Sequence, residues 1–165
     1  KRFSDLIRAM PAVLAQHPQA RLMIVGDGPD RSMLEKLCVT LGVGNSVIFA
    51  GYRSDVRTFY PLMDIFALAS AHEAFGLVLV EAMFAEVPII GTEVGGIPFV
   101  LDSGRCGALV PPLAPLSLSR TLSDLIASPS LRAEYARLGL ARAREEFSAE
   151  RYCREIDELY TSLIQ

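Results

Sequence analysis

Short apolar segments alternate with helical patterns along the first 110 residues, and this alternation restricts the fold more than any other feature of the sequence. The segments are apolar on both faces and are bounded by turn residues. Strands of this kind are typical of parallel sheets that helices cover on both sides, so the sequence predicts an α/β fold with a doubly wound, Rossmann-like parallel sheet. Strands are predicted at 22–25, 47–50, 65–69, 87–90 and 108–110.

Helical patterns fill the segments between the strands and the whole of the last third, which predicts extra helices at the C-terminal end. Ser4 is predicted to cap the first helix, which should kink or restart at Pro11. Gly42 has the position of a helix C-cap, and Ser148 that of an N-cap. Helices are predicted at 4–17, 30–41, 55–63, 77–85, 116–127, 129–147 and 148–163.

The composition fits one globular domain of ordinary size. Of the 165 residues, 51% are hydrophobic, which excludes a disordered chain. A net charge of −3 without blocks of like charge argues against nucleic-acid partners, and no apolar run is long enough to form a transmembrane segment. The three cysteines are far apart and odd in number, which indicates reduced packing residues in a cytoplasmic protein: Cys38, Cys106 and Cys153.

One charged residue, Glu81, interrupts the otherwise apolar segment 77–85. A helix that is apolar all round is usually buried, and a buried carboxylate needs a hydrogen-bond partner. The Glu81 side chain should lean back toward the start of the helix at Gly76, where Glu73 must also lie. The unpaired amides of residues 75–77 form an anion seat there. Two carboxylates beside an anion seat fit a ligand with a central phosphate and hydroxyls at both ends, such as a nucleoside diphosphate sugar.

Glycine-rich or polar turns follow four of the predicted strands, at 26–28, 51–53, 70–76 and 91–96. In open parallel sheets ligands bind beyond the carboxyl ends of the strands. These four turns are therefore the candidate site.

Five segments in this order, at 21–29, 47–52, 73–81, 87–98 and 107–112, resemble the C-terminal half of retaining glycosyltransferase family 4, the glycosyl transferase group 1 enzymes. The resemblance spans essentially the whole chain. It implies that residues 1–165 are the donor-binding domain of a two-domain GT-B enzyme, with an N-terminal acceptor domain and the first strand of this domain lying upstream. The implied reaction moves a hexose from a nucleoside diphosphate sugar to a glycan, lipid or small-molecule acceptor, without a cofactor.

The resemblance also implies roles for single residues. Glu73 would contact hydroxyls of the donor sugar and orient it for attack, and Glu81 would hold the ribose hydroxyls. The amides at Phe75, Gly76 and Leu77 would bind the sugar or the diphosphate. The other nucleotide-sugar positions are the turn at Gly26, Tyr52 and Arg53 beside the base, and Lys1 on the diphosphate.

The family's arginine partner of Lys1 would lie upstream of this chain. A departing nucleoside diphosphate develops negative charge, which cations or oriented donors must offset. The sequence shows no paired-aspartate metal site, so the offset is expected from Lys1, the helix terminus and that arginine, without a metal ion. The 165 residues alone are then expected to bind nucleotide weakly and to transfer sugar poorly or not at all. Phe99 departs from the family, which usually has glutamate there.

Two other classes stay open. A sugar-nucleotide epimerase of related architecture would need acid and base residues, for which Glu73 and His72 are the candidates in this chain. A non-catalytic module would keep the nucleotide-sugar pocket alone. Gly95-Gly96 could merely relieve a tight turn, and Arg53 could be a surface residue. The expected location is the cytoplasm, with the inner membrane surface as a second location that the missing domain would reach.

Overall fold

Five short parallel strands form two ladders in the computed structural model, which describes residues 1–164. Strand β1 (Leu22–Val25) pairs with β2 (Val47–Gly51). The second ladder has the order β3 (Phe66–Leu68), β4 (Ile89–Thr92), β5 (Ala108–Val110). The predicted parallel α/β architecture is therefore confirmed.

Helices separate the strands and follow the last one. Ser128 caps the helix Pro129–Glu146 by accepting from the amide of Leu131 at 3.3 Å. Ser148 accepts from the amide of Arg151 at 3.3 Å near the start of the helix Ala149–Ile164, as expected. Gly42 has φ 68 just after the helix Arg31–Thr40, which confirms its role at that helix end. The α-helices are α1 (Phe3–Gln16), α2 (Arg31–Thr40), α3 (Leu77–Phe84), α4 (Ile97–Val100), α5 (Pro115–Ala127), α6 (Pro129–Glu146) and α7 (Ala149–Ile164).

Two local predictions are wrong. The segment 55–63 is not an α-helix but two 3-10 turns, Val56–Thr58 and Tyr60–Leu62, because Pro61 has no N–H with which to continue an α-helix. Ser4 does not cap α1, since the residue before that helix is Arg2, whose side chain pairs with Asp5. Helix α1 is continuous through Pro11, which lies on its exposed side, so of the two predicted alternatives, a kink or a restart, the restart does not occur.

Strand β4 begins two residues later than predicted, at Ile89, and continues through Gly91 and Thr92. Helix α4 was not predicted from the sequence. Its Pro98 and the two glycines before it indicated only a turn, although proline fits the first turn of a helix.

Helix α1 packs against both ladders. Its Leu6 belongs to the cluster that contains Ile90 of β4, and its buried Ile7 to the cluster that contains Ile24 of β1. On the other side of the second ladder, α3 and α6 pack together through a cluster that includes Met83. Helices thus cover both faces of the β3–β4–β5 ladder, as a doubly wound sheet requires.

The last helix, α7, has no buried residue. Large apolar side chains are exposed along it: Tyr152, Leu159, Tyr160, Leu163 and Ile164. No helix within residues 1–164 is both long enough and apolar enough to cross a bilayer.

The cysteine prediction is correct for two residues and wrong for the third. Cys38 and Cys106 are buried, and burial raises the pKa of both thiols. Cys153 is exposed because it lies on α7, which packs against no core. All three are free thiols in the described part of the chain.

Candidate functional site

The turn between β3 and α3 holds a carboxylate at the start of a helix. Ser70 is fully buried after β3, and its hydroxyl donates to the Glu73 carboxylate at 3.2 Å. The hydroxyl of Thr92, at the end of β4, donates to the Ser70 carbonyl at 2.6 Å. Gly76 precedes α3 with φ 88, a backbone conformation that favours glycine. These contacts fix Glu73 beside the free amides of α3, as the sequence predicted.

Gly95 and Gly96 support this turn from the neighbouring loop. The Gly96 amide donates to the Glu73 carbonyl at 3.1 Å. A Cβ atom at Gly95 would lie 1.8 Å from the Glu73 carbonyl oxygen, and one at Gly96 would lie 2.4 Å from the Ala74 carbonyl oxygen. Both glycines therefore allow a close approach between two loops, which goes beyond relief of their own turn.

Lys1, the first residue of the chain, contacts the same turn. Its ammonium group donates to the Glu73 carboxylate, and the two side chains are 48% and 14% exposed. The next residue, Arg2, donates two hydrogen bonds of 2.9 and 2.8 Å to the buried carboxylate of Asp5. This bidentate pair raises the pKa of Arg2 and anchors the backbone beside Lys1. Two predicted site residues, 72 positions apart, thus meet.

A cavity of about 400 Å³ extends from Lys1 along the turn after β1. Gly26 is part of its lining, and the Gly26 amide donates to the Gly51 carbonyl at 2.8 Å. That bond joins the turns after β1 and β2. A larger hollow of about 630 Å³ follows α7, but residues of that one helix form its whole lining, so it is an open helix face and not a cleft between elements. The cavity beside Lys1 is lined by Lys1, Arg2, Phe3, Ser4, Ile24, Gly26, Asp27, Gly28, Pro29, Asp30, Arg31, Met33, Leu34 and Phe49.

Glu81 is partly buried on α3, and its carboxylate accepts a hydrogen bond of 2.8 Å from the hydroxyl of Tyr60. The Tyr60 side chain is buried, and both this burial and the carboxylate raise the pKa of its hydroxyl. The expectation that Glu81 has a hydrogen-bond partner is confirmed. The partner is a neutral hydroxyl and not an internal arginine or lysine.

Tyr52 and Arg53 lie in the turn after β2, which Gly51 connects to Gly26. The side chain of Tyr52 is highly exposed. The guanidinium of Arg53 lies 3.6 Å from the Asp55 carboxylate and over the ring of Phe59. Neither residue lines the cavity beside Lys1, so only the backbone of this turn connects them to the rest of the candidate site.

The aromatic and apolar residues of the α3 turn differ in exposure. Phe75 is partly buried, and its ring meets that of Phe147 edge-on at 5.6 Å. The Leu77 side chain is exposed, as is His72. For Phe75 and Leu77 it is therefore the backbone amides that remain candidates for ligand contact.

Sequence reasoning missed Tyr60 and the supporting role of Gly95 and Gly96. Tyr60 lies in the segment predicted as a helix, and it precedes Glu81 by 21 positions, so no local spacing pairs them. The glycines were recognised only as a turn. Their partner, the backbone after Glu73, belongs to another loop.

The turn at Gly76 brings together the Lys1 cation, the Glu73 carboxylate and the amides at the start of α3. The second predicted carboxylate, Glu81, meets Tyr60 instead and does not line the cavity beside Lys1. A diphosphate can pair with the cation and the amides, while sugar hydroxyls donate to carboxylates. No group of three or more His, Cys, Asp or Glu side chains suited to a metal ion lies within residues 1–164.

Residues 1–141 match the family model described as glycosyl transferases group 1. The chain is 30% identical over 165 residues to N-acetyl-alpha-D-glucosaminyl L-malate synthase of Bacillus anthracis, a match covering 100% of this chain and 43% of that protein. The structure of HepE from Anabaena in complex with UDP superposes with a TM-score of 0.91 at 28% identity, over 98% of this chain and 45% of that one.

A third match is the C-terminal domain of LpcC, a glycosyl transferase group 1 family protein from Francisella tularensis. It superposes with a TM-score of 0.82 at 25% identity, over 90% of this chain and 80% of that domain. The chain thus spans less than half of the Bacillus anthracis protein and of HepE, and most of the LpcC domain. The extent of the family match and the shared fold give one conclusion: this chain belongs to the group 1 glycosyltransferase family.

Proposed function

We propose that residues 1–165 are the donor-binding domain of a glycosyltransferase and bind a nucleoside diphosphate sugar at the carboxyl edge of the sheet. The observation that carries this proposal is the meeting of Lys1 and Glu73 beside the turn at Gly76. It places a cation, a carboxylate and helix-start amides at one point, as a sugar diphosphate needs. HepE, which shares the fold, has been solved with UDP and with UDP-glucose.

In this proposal each predicted residue keeps its role. Lys1 and the amides of residues 75–77 hold the diphosphate, Glu73 accepts hydrogen bonds from the donor sugar, and Glu81 accepts them from the ribose. The joined turns after β1 and β2 hold the nucleoside, chiefly through backbone groups of Gly26, Tyr52 and Arg53, since the Tyr52 side chain is exposed and Arg53 pairs with Asp55.

The reaction breaks the bond between the anomeric carbon and the diphosphate oxygen and forms one to the oxygen of an acceptor hydroxyl, whose proton passes to the departing diphosphate. The negative charge that develops on the diphosphate is offset by Lys1 and by the amides at the start of α3. We propose that transfer needs no metal ion, because these groups can supply the offset together with an upstream arginine. Retention of configuration at the anomeric carbon rests on the family resemblance alone.

We also propose that the whole protein has a second, upstream domain that binds the glycan, lipid or small-molecule acceptor. The lengths of the relatives support this, since the chain spans 43% of the N-acetyl-alpha-D-glucosaminyl L-malate synthase and 45% of HepE. The exposed apolar side chains of α7 provide a surface that such a domain would cover. An upstream strand would fit between β1 and β3, because β1 pairs only with β2, and β3 only with β4, within residues 1–164.

The free thiols support a reducing compartment such as the cytoplasm, since three cysteines remain unpaired in the described chain. Contact with the inner membrane surface through the upstream domain stays a prediction.

Removal of the Glu81 carboxylate tests the donor-binding proposal. Titration calorimetry with UDP, GDP and ADP first identifies the nucleotide that binds. Glu81→Ala is then expected to weaken its binding by about 100-fold or more, because hydrogen bonds to a charged group are among the stronger ones. Glu134→Ala, at an exposed position of α6, is the matched control and should leave binding unchanged.

Unchanged affinity in Glu81→Ala, or no binding of any of the three nucleotides, would contradict the proposal. Product analysis with the sugar nucleotide on the whole protein separates transfer from epimerisation. A non-catalytic module would bind but yield neither product.

A further inference from the structure

The hydrogen bond from Tyr60 to Glu81 has no part in the function proposed so far. Tyr60 begins the second 3-10 turn after β2, and its hydroxyl lies 2.8 Å from Oε2 of Glu81 and 3.4 Å from the Val78 carbonyl oxygen. The shorter contact is to a charged acceptor and is the stronger one. A side chain from one element thus holds a carboxylate on another, 21 residues away.

The direction of this bond is fixed by chemistry. Burial and the neighbouring carboxylate raise the pKa of Tyr60, so its hydroxyl keeps its single proton at neutral pH. A carboxylate oxygen has no proton to donate and can only accept. Tyr60 therefore donates to Oε2, while Oε1 and the second lone pair of Oε2 stay available to other donors.

A ribose presents two neighbouring hydroxyls, and it needs two acceptor sites in one orientation. A carboxylate held at one oxygen loses its freedom to rotate about its terminal bond. The remaining acceptor sites of Glu81 then point in a defined direction before any ligand arrives, and this lowers the ordering cost of binding.

We propose that Tyr60 is a positioning residue for nucleotide recognition: by donating to Oε2 of Glu81 it orients the remaining acceptor sites of that carboxylate for the two ribose hydroxyls. This inference rests on the proposed function, in which Glu81 binds the ribose. Tyr60 itself touches no ligand. It should sharpen the preference for a ribonucleotide over one that lacks those hydroxyls.

A purely structural role for Tyr60 makes a different prediction. Its ring packs on Phe66 with centroids 5.8 Å apart, inside the cluster that covers β3. Loss of its hydroxyl could therefore lower stability without any effect on ligand choice. The readout must be the choice between two ligands, which a general loss of stability does not change.

The test uses the nucleoside diphosphate that binds best among UDP, GDP and ADP, and its 2′,3′-dideoxy counterpart. Calorimetry gives the ratio of their dissociation constants for the unmodified chain and for Tyr60→Phe. Tyr60→Phe is expected to reduce the ribonucleotide preference about tenfold, the size that one hydrogen bond to a charged group carries. The change should come from weaker ribonucleotide binding, with the dideoxy affinity nearly constant.

Tyr135→Phe removes the same hydroxyl from a partly buried tyrosine in a different cluster, and it should keep the full preference. In a Glu81→Ala background, Tyr60→Phe should have no further effect on the preference, because the orienting bond is already lost. Thermal melting of each variant reports folding separately. If Tyr60→Phe does not fold, Tyr60→4-aminophenylalanine, which retains a donor at the ring's para position, should keep the preference.

The outcomes separate this inference from the function beneath it. If the unmodified chain binds both ligands equally, Glu81 does not read the ribose, and both the positioning role of Tyr60 and the proposed ribose role of Glu81 are overturned. Donor binding itself fails only if none of the nucleotides binds. If the unmodified chain prefers the ribonucleotide and folded Tyr60→Phe prefers it equally, only the positioning role is overturned. Loss of the preference in the 4-amino variant would also overturn it.

Discussion

Lys1 and Glu73 form an ion pair whose exposure indicates a role in binding more than in folding. The Lys1 side chain is about half exposed, and ion pairs in contact with solvent contribute little to stability. Glu73 is far more enclosed and also accepts from Ser70. The pair therefore keeps a cation at the edge of the sheet, where an anionic ligand can reach it.

Replacement of Lys1 should weaken diphosphate binding selectively. Lys1→Met keeps most of the length of the side chain and removes its charge, so we expect about tenfold weaker binding of a nucleoside diphosphate, the size of one charge-assisted hydrogen bond. The matching nucleoside without phosphate should bind as before. Calorimetry on both ligands measures the difference.

Lys36→Met is the natural control, since Lys36 is the chain's other lysine and lies exposed on α2. Equal losses for diphosphate and nucleoside in Lys1→Met would mean that Lys1 acts through the fold and not on the phosphate.

The sequence could predict single residues of the site better than their partners. Glu81 was recognised because a lone charge in an apolar helix needs a partner, and that reasoning uses only neighbouring residues. The pairs of Lys1 with Glu73 and of Tyr60 with Glu81 depend on how distant segments meet, and no rule of local spacing contains that information.

At the scale of elements, two neighbouring loops depend on each other. The loop after β4 carries Gly95 and Gly96, and the loop after β3 carries Glu73. Their backbones approach so closely that only glycine fits between them. The geometry of the predicted donor site is therefore set partly by a loop that contributes no side chain to it.

Gly95→Ala should damage both stability and binding. Its φ of +52 disfavours a side chain, and the new Cβ would overlap the Glu73 carbonyl oxygen. We expect a loss of about 2 kcal/mol or more in the free energy of unfolding, as for other overpacked positions, together with weaker nucleotide binding. Urea denaturation and calorimetry measure the two effects.

Gly44→Ala gives the comparison, because a Cβ at Gly44 meets no atom within 4 Å and φ there is not in the left-handed region. It should change the stability by less than about 0.5 kcal/mol. Similar stability of the Gly95 and Gly44 variants would show that the two loops can separate without cost.

Most elements could be predicted from residue patterns, and the misses have physical reasons. Apolar runs and capping serines located the strands and the long C-terminal helices. The helix prediction at 55–63 was wrong because a single proline converts a helical pattern into 3-10 turns. Helix α4 was not predicted because it is only one turn long, and the glycines before it and its own proline indicated a turn more strongly than its short apolar pattern indicated a helix.

At the scale of the whole molecule, several surfaces lack a partner within residues 1–164. The two ladders share no hydrogen-bonded strand pair, and α1 is the element that packs on both. Helix α7 exposes its apolar side chains. These features, with the greater length of the relatives, support the proposal that this chain is one domain of a larger protein.

Residues 1–165 alone should therefore be poor at transfer. We expect nucleotide binding that calorimetry can detect but sugar transfer far below that of the whole protein, because the proposed acceptor domain and arginine would lie outside these residues. Release of nucleoside diphosphate from the sugar nucleotide, measured at equal protein concentration, compares the two. Equal turnover would contradict the division into donor and acceptor domains.

The contact between Lys1 and Glu73 has a consequence for the order of events in the proposed site. An incoming diphosphate competes with the carboxylate for the ammonium group, and wherever it draws that group away the carboxylate loses its counterion. An intact sugar nucleotide compensates for this, since its hexose hydroxyls can donate to the released carboxylate. The nucleoside diphosphate that remains after transfer has no hexose hydroxyls to donate. The ion pair between Lys1 and Glu73 would therefore re-form and weaken the hold on this product. In the proposed site, the contact between Lys1 and Glu73 would thus favour entry of fresh donor and escape of spent nucleotide.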